Sequence, residues 1–222
     1  MKLTVIAATG GIGREVLQQA LAAGHDVTAV ARHPERLSPT PARLVAADLA
    51  SPDPDTLRAA VQGADAVLSA LGPRSRADAG VTWRGTLAVT QAMASAGVRR
   101  ILVVSAAPIG TVASPARPHP PRRDPGDGFI VRNLAFPVVR AVFRDNYADL
   151  ARMEDVLRDS GLDWTAVRPP RLTSKPATGR YRTALGRNVR HGLLVSRADV
   201  AHYLLRAVTE PATYRQTIGL AY

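Results

Sequence analysis

Apolar residues recur along this chain in two alternating periods. Short apolar runs give way to stretches where apolar positions repeat every three or four residues. The first run covers 3–8 and leads into a helical pattern over 12–23, with Ile12, Val16, Leu17, Ala20 and Leu21 on one face. Gly24 stands where a helix would stop. Strands are predicted over 26–32, 43–48, 65–72 and 99–105, and helices over 53–63, with Asp53 or Asp55 near the start, and 86–98. Residues 106–128 hold much of the proline and read as a long loop, of the kind that is usually functional or mobile. A helix over 147–160 stops at Gly161, and a strand over 163–170 closes on Pro169 and Pro170. Residues 171–196 look irregular, 196–210 reads as a helix with Ser196 as N-cap and Asp199 three residues on, and 216–222 reads as an edge strand. Strands alternating with helices predict an α/β fold with a mostly parallel, doubly wound sheet and helices on both faces. No repeat or linker divides it, so residues 1–222 are expected to form a single domain.

Composition removes several classes of function. Of 222 residues, 46% are hydrophobic, enough for a sizeable core. No apolar run approaches the ~18 residues of a membrane span. The opening "MKLTVIAATGG" lacks a cleavage site of the A-x-A kind, so a cytoplasmic location is the expectation. The absence of cysteine rules out disulfides, thiol chemistry and cysteine metal sites. His25, His33, His119, His191 and His202 show no metal-ligand spacing, and no metal is expected. The net charge is +11, carried almost wholly by arginine, with Lys2 and Lys175 the only lysines. The arginines are scattered and form no basic block, so nucleic acid is not an expected partner.

"VIAATGGIG", residues 5–13, carries the chemistry. Its glycines leave a strand and open a helix within the first strand–helix–strand unit. The opening N–H groups of a helix have no internal partners and, with the helix dipole, attract phosphate. Gly10 and Gly11 would admit a pyrophosphate, and Gly13 would let the helix pack close to the strand. Thr9 and Ile12 belong to the same turn. The spacing is Ala7-x-x-Gly10-x-x-Gly13, and the alanine costs little if that position has ordinary strand dihedrals. At the end of the second strand an NAD site would carry an acid for the ribose hydroxyl. This chain has "VARHPER", in which Arg32, His33 and Arg36 would suit a 2′-phosphate. NADPH is therefore expected over NADH. Asp48 and Leu49, after the third strand, and Ala70, Leu71 and Gly72, ending the fourth, lie where ligands bind in open sheets of this type.

From end to end the chain resembles the atypical short-chain dehydrogenase/reductases, in the NAD(P)H-binding subgroup of flavin reductase/biliverdin reductase B-like and NmrA-like proteins. The stretches that carry the resemblance include "VIAATGGIGREVLQQALAAGHDVTAVAR", "ADAVLSALG", "GVRRILVVSA", "RMEDVLRDSGLDWTAVRPPRLT" and "TGRYRT". The resemblance implies a dinucleotide-binding core at about 1–105 and acceptor-pocket elements at about 106–196. It implies hydride transfer from NADPH to a conjugated acceptor such as a flavin or quinone, with Ser105 beside the nicotinamide and Pro169 near the cofactor. Where the subgroup's reductases carry a histidine after Pro-Pro, this chain has Arg171, suited to an anionic group on the substrate. Ordinary short-chain dehydrogenases use a Tyr-x-x-x-Lys pair. Here Tyr147 is the tyrosine near that helix and Ala151 lies four residues on, which leaves Tyr147 as a substrate contact. A sensor that binds NADP without turnover, as NmrA-like regulators do, is the alternative. A small-molecule acceptor and a monomer or small homo-oligomer complete the expectations.

Overall fold

β1 (Lys2–Ile6) leads through the glycine turn into α1 (Gly11–Ala22), and β2 (Asp26–Ala31) returns beside β1 in parallel. The computed structural model describes residues 1–73, 78–126 and 144–222. The chain continues through β3 (Arg43–Ala46), α2 (Pro54–Val61), β4 (Ala66–Ser69), α3 (Val81–Ala96) and β5 (Arg100–Val104). After the loop come α4 (Arg144–Asp159), β6 (Asp163–Arg168), β7 (Arg171–Thr173), β8 (Arg182–Leu185), β9 (Leu194–Ser196), α5 (Arg197–Ala207) and β10 (Gln216–Ala221).

The main sheet has eight strands in the order β3-β2-β1-β4-β5-β6-β10-β8. Its pairs are parallel except β10–β8. Strand order reverses between β1 and β4, which opens a crevice at their carboxyl ends. The apolar stripe of α1 (Ile12, Val16, Leu17, Ala20) packs with Val200, Ala201 and Leu204 of α5 on one face. Leu57, Val61, Val89, Met93, Met153 and Leu157 of α2, α3 and α4 fill the other.

Local signals set several boundaries. Gly24 takes φ +75°, and the N–H groups of Gly24 and His25 close the end of α1 on Leu21 and Ala20. Asp53 caps α2 through the Thr56 N–H at 2.9 Å. The end of α5 is closed from a distance. Buried Arg100, at the start of β5, donates to the carbonyls of Ala207 and Val208, and burial pulls its pKa down to about 10.

Four expectations need correction. α3 begins at Val81 rather than 86, because the Asp149 carboxylate of α4 accepts from the N–H groups of Thr82 (3.1 Å) and Trp83 (2.8 Å). Residues 171–196 are not irregular: β7 pairs with β9, and β8 pairs antiparallel with β10. β10 is therefore interior, and β8 is the edge. The long loop is tethered in its described part. Residues 107–111 form a buried 3₁₀ turn, Ser114 donates to Asp155 at 2.9 Å, and Asp124 accepts from the Asn188 N–H at 2.9 Å. Residues 127 and 128 lie outside the described residues.

Ser196 caps α5, accepting from the Asp199 N–H at 2.9 Å, as expected. Asp199 is fully buried and gathers the Tyr222 hydroxyl (2.6 Å), the Thr178 and Gly179 N–H groups (both 2.8 Å) and the Thr178 hydroxyl (2.9 Å). Burial alone would raise its pKa, but these hydrogen bonds outweigh burial and hold it below the ordinary 3.8. A carboxyl lowered on folding contributes stability that is present above its unfolded pKa and lost as pH falls through its folded one. Asp199→Asn is therefore expected to be less stable than wild type at pH 7, with the gap narrowing below pH ~4. Urea melts across pH 3–7 check this, and a gap that is constant or widens on acidification would contradict it.

Candidate functional site

The crevice beside the β1–β4 reversal is lined by Ala7, Thr9, Arg32, Asp48, Leu49, Leu71, Gly72, Asp78 and Val81, among others. It brings together six residues expected to bind a cofactor: Thr9, Arg32, Asp48, Leu49, Leu71 and Gly72. Each stands at or just beyond the carboxyl end of β1, β2, β3 or β4.

The glycine turn borders the crevice through Ala7 and Thr9, while Gly10, Gly11, Ile12 and Gly13 are not among its lining residues. Gly10 is the N-cap of α1 with extended backbone, and its N–H donates to the Ala7 carbonyl at 2.9 Å. α1 has no side-chain cap and no acid in its first turn. A Cβ on Gly13 would lie 2.3 Å from the Ala7 oxygen, so glycine alone lets helix and strand approach this closely. Ile12 is buried in the core beneath. Ala7 departs from expectation. It has φ +59°, a left-handed conformation that costs a non-glycine residue about 1 kcal/mol. These features fit a nucleotide: an uncapped helix start, a backbone too tight for side chains, and a crevice with an apolar wall at Leu49 and Leu71.

Arg32 stands on this wall with its side chain 42% exposed, and its guanidinium meets Asp78 at 3.3 Å. Asp78 and Arg14 were missed in the sequence. Arg14 joins the glycine turn to the segment after β2 by donating to the carbonyls of Thr9 (3.4 Å) and Arg36 (3.3 Å). His33 is exposed and meets Glu35 at 3.3 Å, and it is not among the residues that line the crevice. Asp48 lines the crevice and accepts from the Ala50 N–H at 3.0 Å through one oxygen, a local turn bond.

Ser105 lies immediately past β5 and is buried, and its hydroxyl donates to Glu154 of α4 at 2.8 Å. Glu154 is 1% exposed and also accepts from Arg168 Nε (2.8 Å) and Arg158 (2.9 Å). The sequence does carry a signal for this: Leu150, Glu154 and Leu157 share a helical stripe, and a carboxylate there must find buried partners. Pro169 is buried, and its carbonyl receives the Ala107 N–H at 3.0 Å. Arg171 is exposed at the start of β7. Burial raises the Tyr147 pKa, opposite to what proton donation in a Tyr-x-x-x-Lys pair requires. Neither Arg171 nor Tyr147 lines the crevice.

The NAD(P)H-binding family matches residues 7–211. The chain belongs to that family. A solved structure of a candidate exported protein from Burkholderia pseudomallei is 30% identical, with all of both chains covered and a TM-score of 0.76. Another, of a candidate NADH-flavin reductase from Streptococcus pneumoniae, is 25% identical over all of this chain and 99% of the other, with a TM-score of 0.72. The anaerobilin reductase ChuY of Escherichia coli O157:H7 shares the fold at 22% identity, with 100% and 97% of the chains covered and a TM-score of 0.76. The chain spans 14% of the length of the curated mycobacterial relatives that it matches at 29% identity. Among its described residues no helix is long and apolar enough to cross a membrane, and no cluster could hold a metal ion.

Proposed function

We propose that the chain is an NADPH-dependent reductase that delivers hydride to a conjugated acceptor such as a flavin or quinone. Arg32 carries this reading: a half-exposed guanidinium at the end of β2, where an NAD site would carry an acid. A 2′-phosphate can pair with it through a charge-assisted fork. The Arg32–Asp78 pair is partly exposed and worth less than ~1 kcal/mol, so a phosphate can compete for the same guanidinium. The bound dinucleotide supplies the hydride, and the chain's part is to hold and orient it. Thr9 and the turn at Gly10, Gly11 and Ile12 would hold the phosphates. Asp48, Leu49, Ala70, Leu71 and Gly72 would hold the adenosine half, with His33 and Arg36 flanking the 2′-position.

On the acceptor side, Ser105 has its proton committed to Glu154, so it offers lone pairs and no donor. Arg171 would hold an anionic group, with Tyr147 as a further contact. With no Tyr–Lys pair, a ring that takes hydride while solvent supplies the proton suits the site better than a ketone. Ser105's committed proton also favours the second reading, an NADP sensor without turnover. We place the protein in the cytoplasm as a monomer or small homo-oligomer.

The test is titration with NADPH and NADH, then NADPH oxidation with and without FMN. Tighter NADPH binding and FMN-dependent oxidation are expected. Binding without oxidation across flavins and quinones would leave the sensor. Asp78→Asn removes a negative charge beside the phosphate site, so it is expected to tighten NADPH about fivefold, or ~1 kcal/mol, without tightening NADH. Equal tightening of both would sink the assignment of Arg32 to the 2′-phosphate.

A further inference from the structure

The glycine turn meets a dinucleotide with backbone alone, yet the fold brings a side chain to it from the far end of the sequence. α1 begins without a side-chain cap or a first-turn acid, so the positive end of its dipole is left bare by the chain. Arg197, the first residue of α5, lies across this end. A Cβ on Gly11 would stand 2.8 Å from Arg197 Cδ and 2.9 Å from its Nε. Gly11 therefore makes room for the arginine as well as for a ligand.

The electrostatics of this contact are unfavourable in the chain by itself. A guanidinium rests against one helix N-terminus while rooted in the first turn of another, and both positions favour anions. Its one hydrogen-bond partner among the described residues is the neutral Ser174 hydroxyl, at 3.1 Å. No carboxylate lies within ion-pair distance of Arg197 among the described residues. Arg32, by contrast, has Asp78, and Arg158 has Glu154 and Asp155. A part-buried cation held at two positive helix ends by a serine calls for an anion at the same place.

We infer that Arg197 is a binding residue for the diphosphate of the dinucleotide, held in reach of the glycine turn by Ser174. The inference rests on the dinucleotide reading above and deepens it. Phosphate recognition is divided between two arginines: Arg32 for the ribose 2′-phosphate and Arg197 for the diphosphate.

Two probes separate these roles. ADP carries the diphosphate without a 2′-phosphate, and 2′-AMP carries the 2′-phosphate without a diphosphate. Calorimetric titration of wild type, Arg197→Gln, Arg197→Ala and Arg32→Ala measures both, with melting temperature as the check on folding. Losing one charge-assisted hydrogen bond is expected to weaken ADP and NADPH roughly 10- to 100-fold in the Arg197 variants. Binding of 2′-AMP should stay within about twofold, whereas Arg32→Ala should weaken 2′-AMP and NADPH and leave ADP within about twofold. Arg197→Lys keeps the charge but loses the fork, and is expected to fall between. Unchanged ADP affinity in both Arg197→Gln and Arg197→Ala would overturn the inference. So would equal losses for ADP and 2′-AMP, which would mark Arg197 as structural. If wild type bound NADPH and only these patterns failed, the dinucleotide reading would stand; if wild type bound no dinucleotide, both would fall.

Discussion

Glu154→Gln is expected to cost about 3–5 kcal/mol of folding stability, among the largest losses available to a single substitution here. The carboxylate is 1% exposed and receives hydrogen bonds from Ser105, Arg168 and Arg158. Arg168 is itself only 4% exposed. Neutralising Glu154 leaves a buried guanidinium without its charge partner, and removing one member of such a pair costs far more than the intact pair contributes. For a chain of this size the loss should lower the melting temperature by roughly 10 °C. Ser105→Ala, which removes one neutral donor, should cost only about 1 kcal/mol. Urea unfolding of both variants decides the point. Equal small losses would mean that Glu154 is not the hub joining α4 to the ends of β5 and β6.

The second large effect belongs to Gly13. In Gly13→Ala the new methyl would stand 2.3 Å from the Ala7 oxygen and 3.0 Å from Ala8 Cα. Both are backbone atoms and cannot swing aside, so α1 must move off β1. Overpacking of this kind costs about 1–3 kcal/mol. Displacing α1 also moves the N–H groups offered to phosphate, so NADPH should bind at least ~10-fold more weakly even in folded protein. If Gly13→Ala bound NADPH as wild type does, close packing of helix and strand at the turn would not be what the glycine secures.

The crevice beside the β1–β4 reversal was legible because its parts are local. The glycine turn, Arg32, Asp48 and Leu71 each follow a strand that its own apolar run announces, and the parallel sheet brings strand ends together. What was illegible came from partners distant in sequence. Asp78 meets Arg32 only because the strand order reverses between β1 and β4. α3 starts early because a carboxylate of α4 caps it. β7, β8 and β9 are three or four residues long, too short for a period to declare, and pairing creates them. Ser105 was assigned to the nicotinamide by resemblance alone. Its neighbour Glu154 became visible as a partner only once α4 was packed beneath β5.

Ala7 carries a consequence for the thermodynamics of association. An alanine held at φ +59° strains the folded turn. Glycine there would relieve the strain but would give the unfolded chain more freedom to lose. The alanine version of the turn is the stiffer one, with Ala7 already receiving the Gly10 N–H and packed against Gly13. A ligand reaching it has little backbone to order. For the dinucleotide proposed above, the entropic penalty that usually accompanies capture by a flexible phosphate loop would be met during folding, and the binding enthalpy of the phosphates would be retained as affinity.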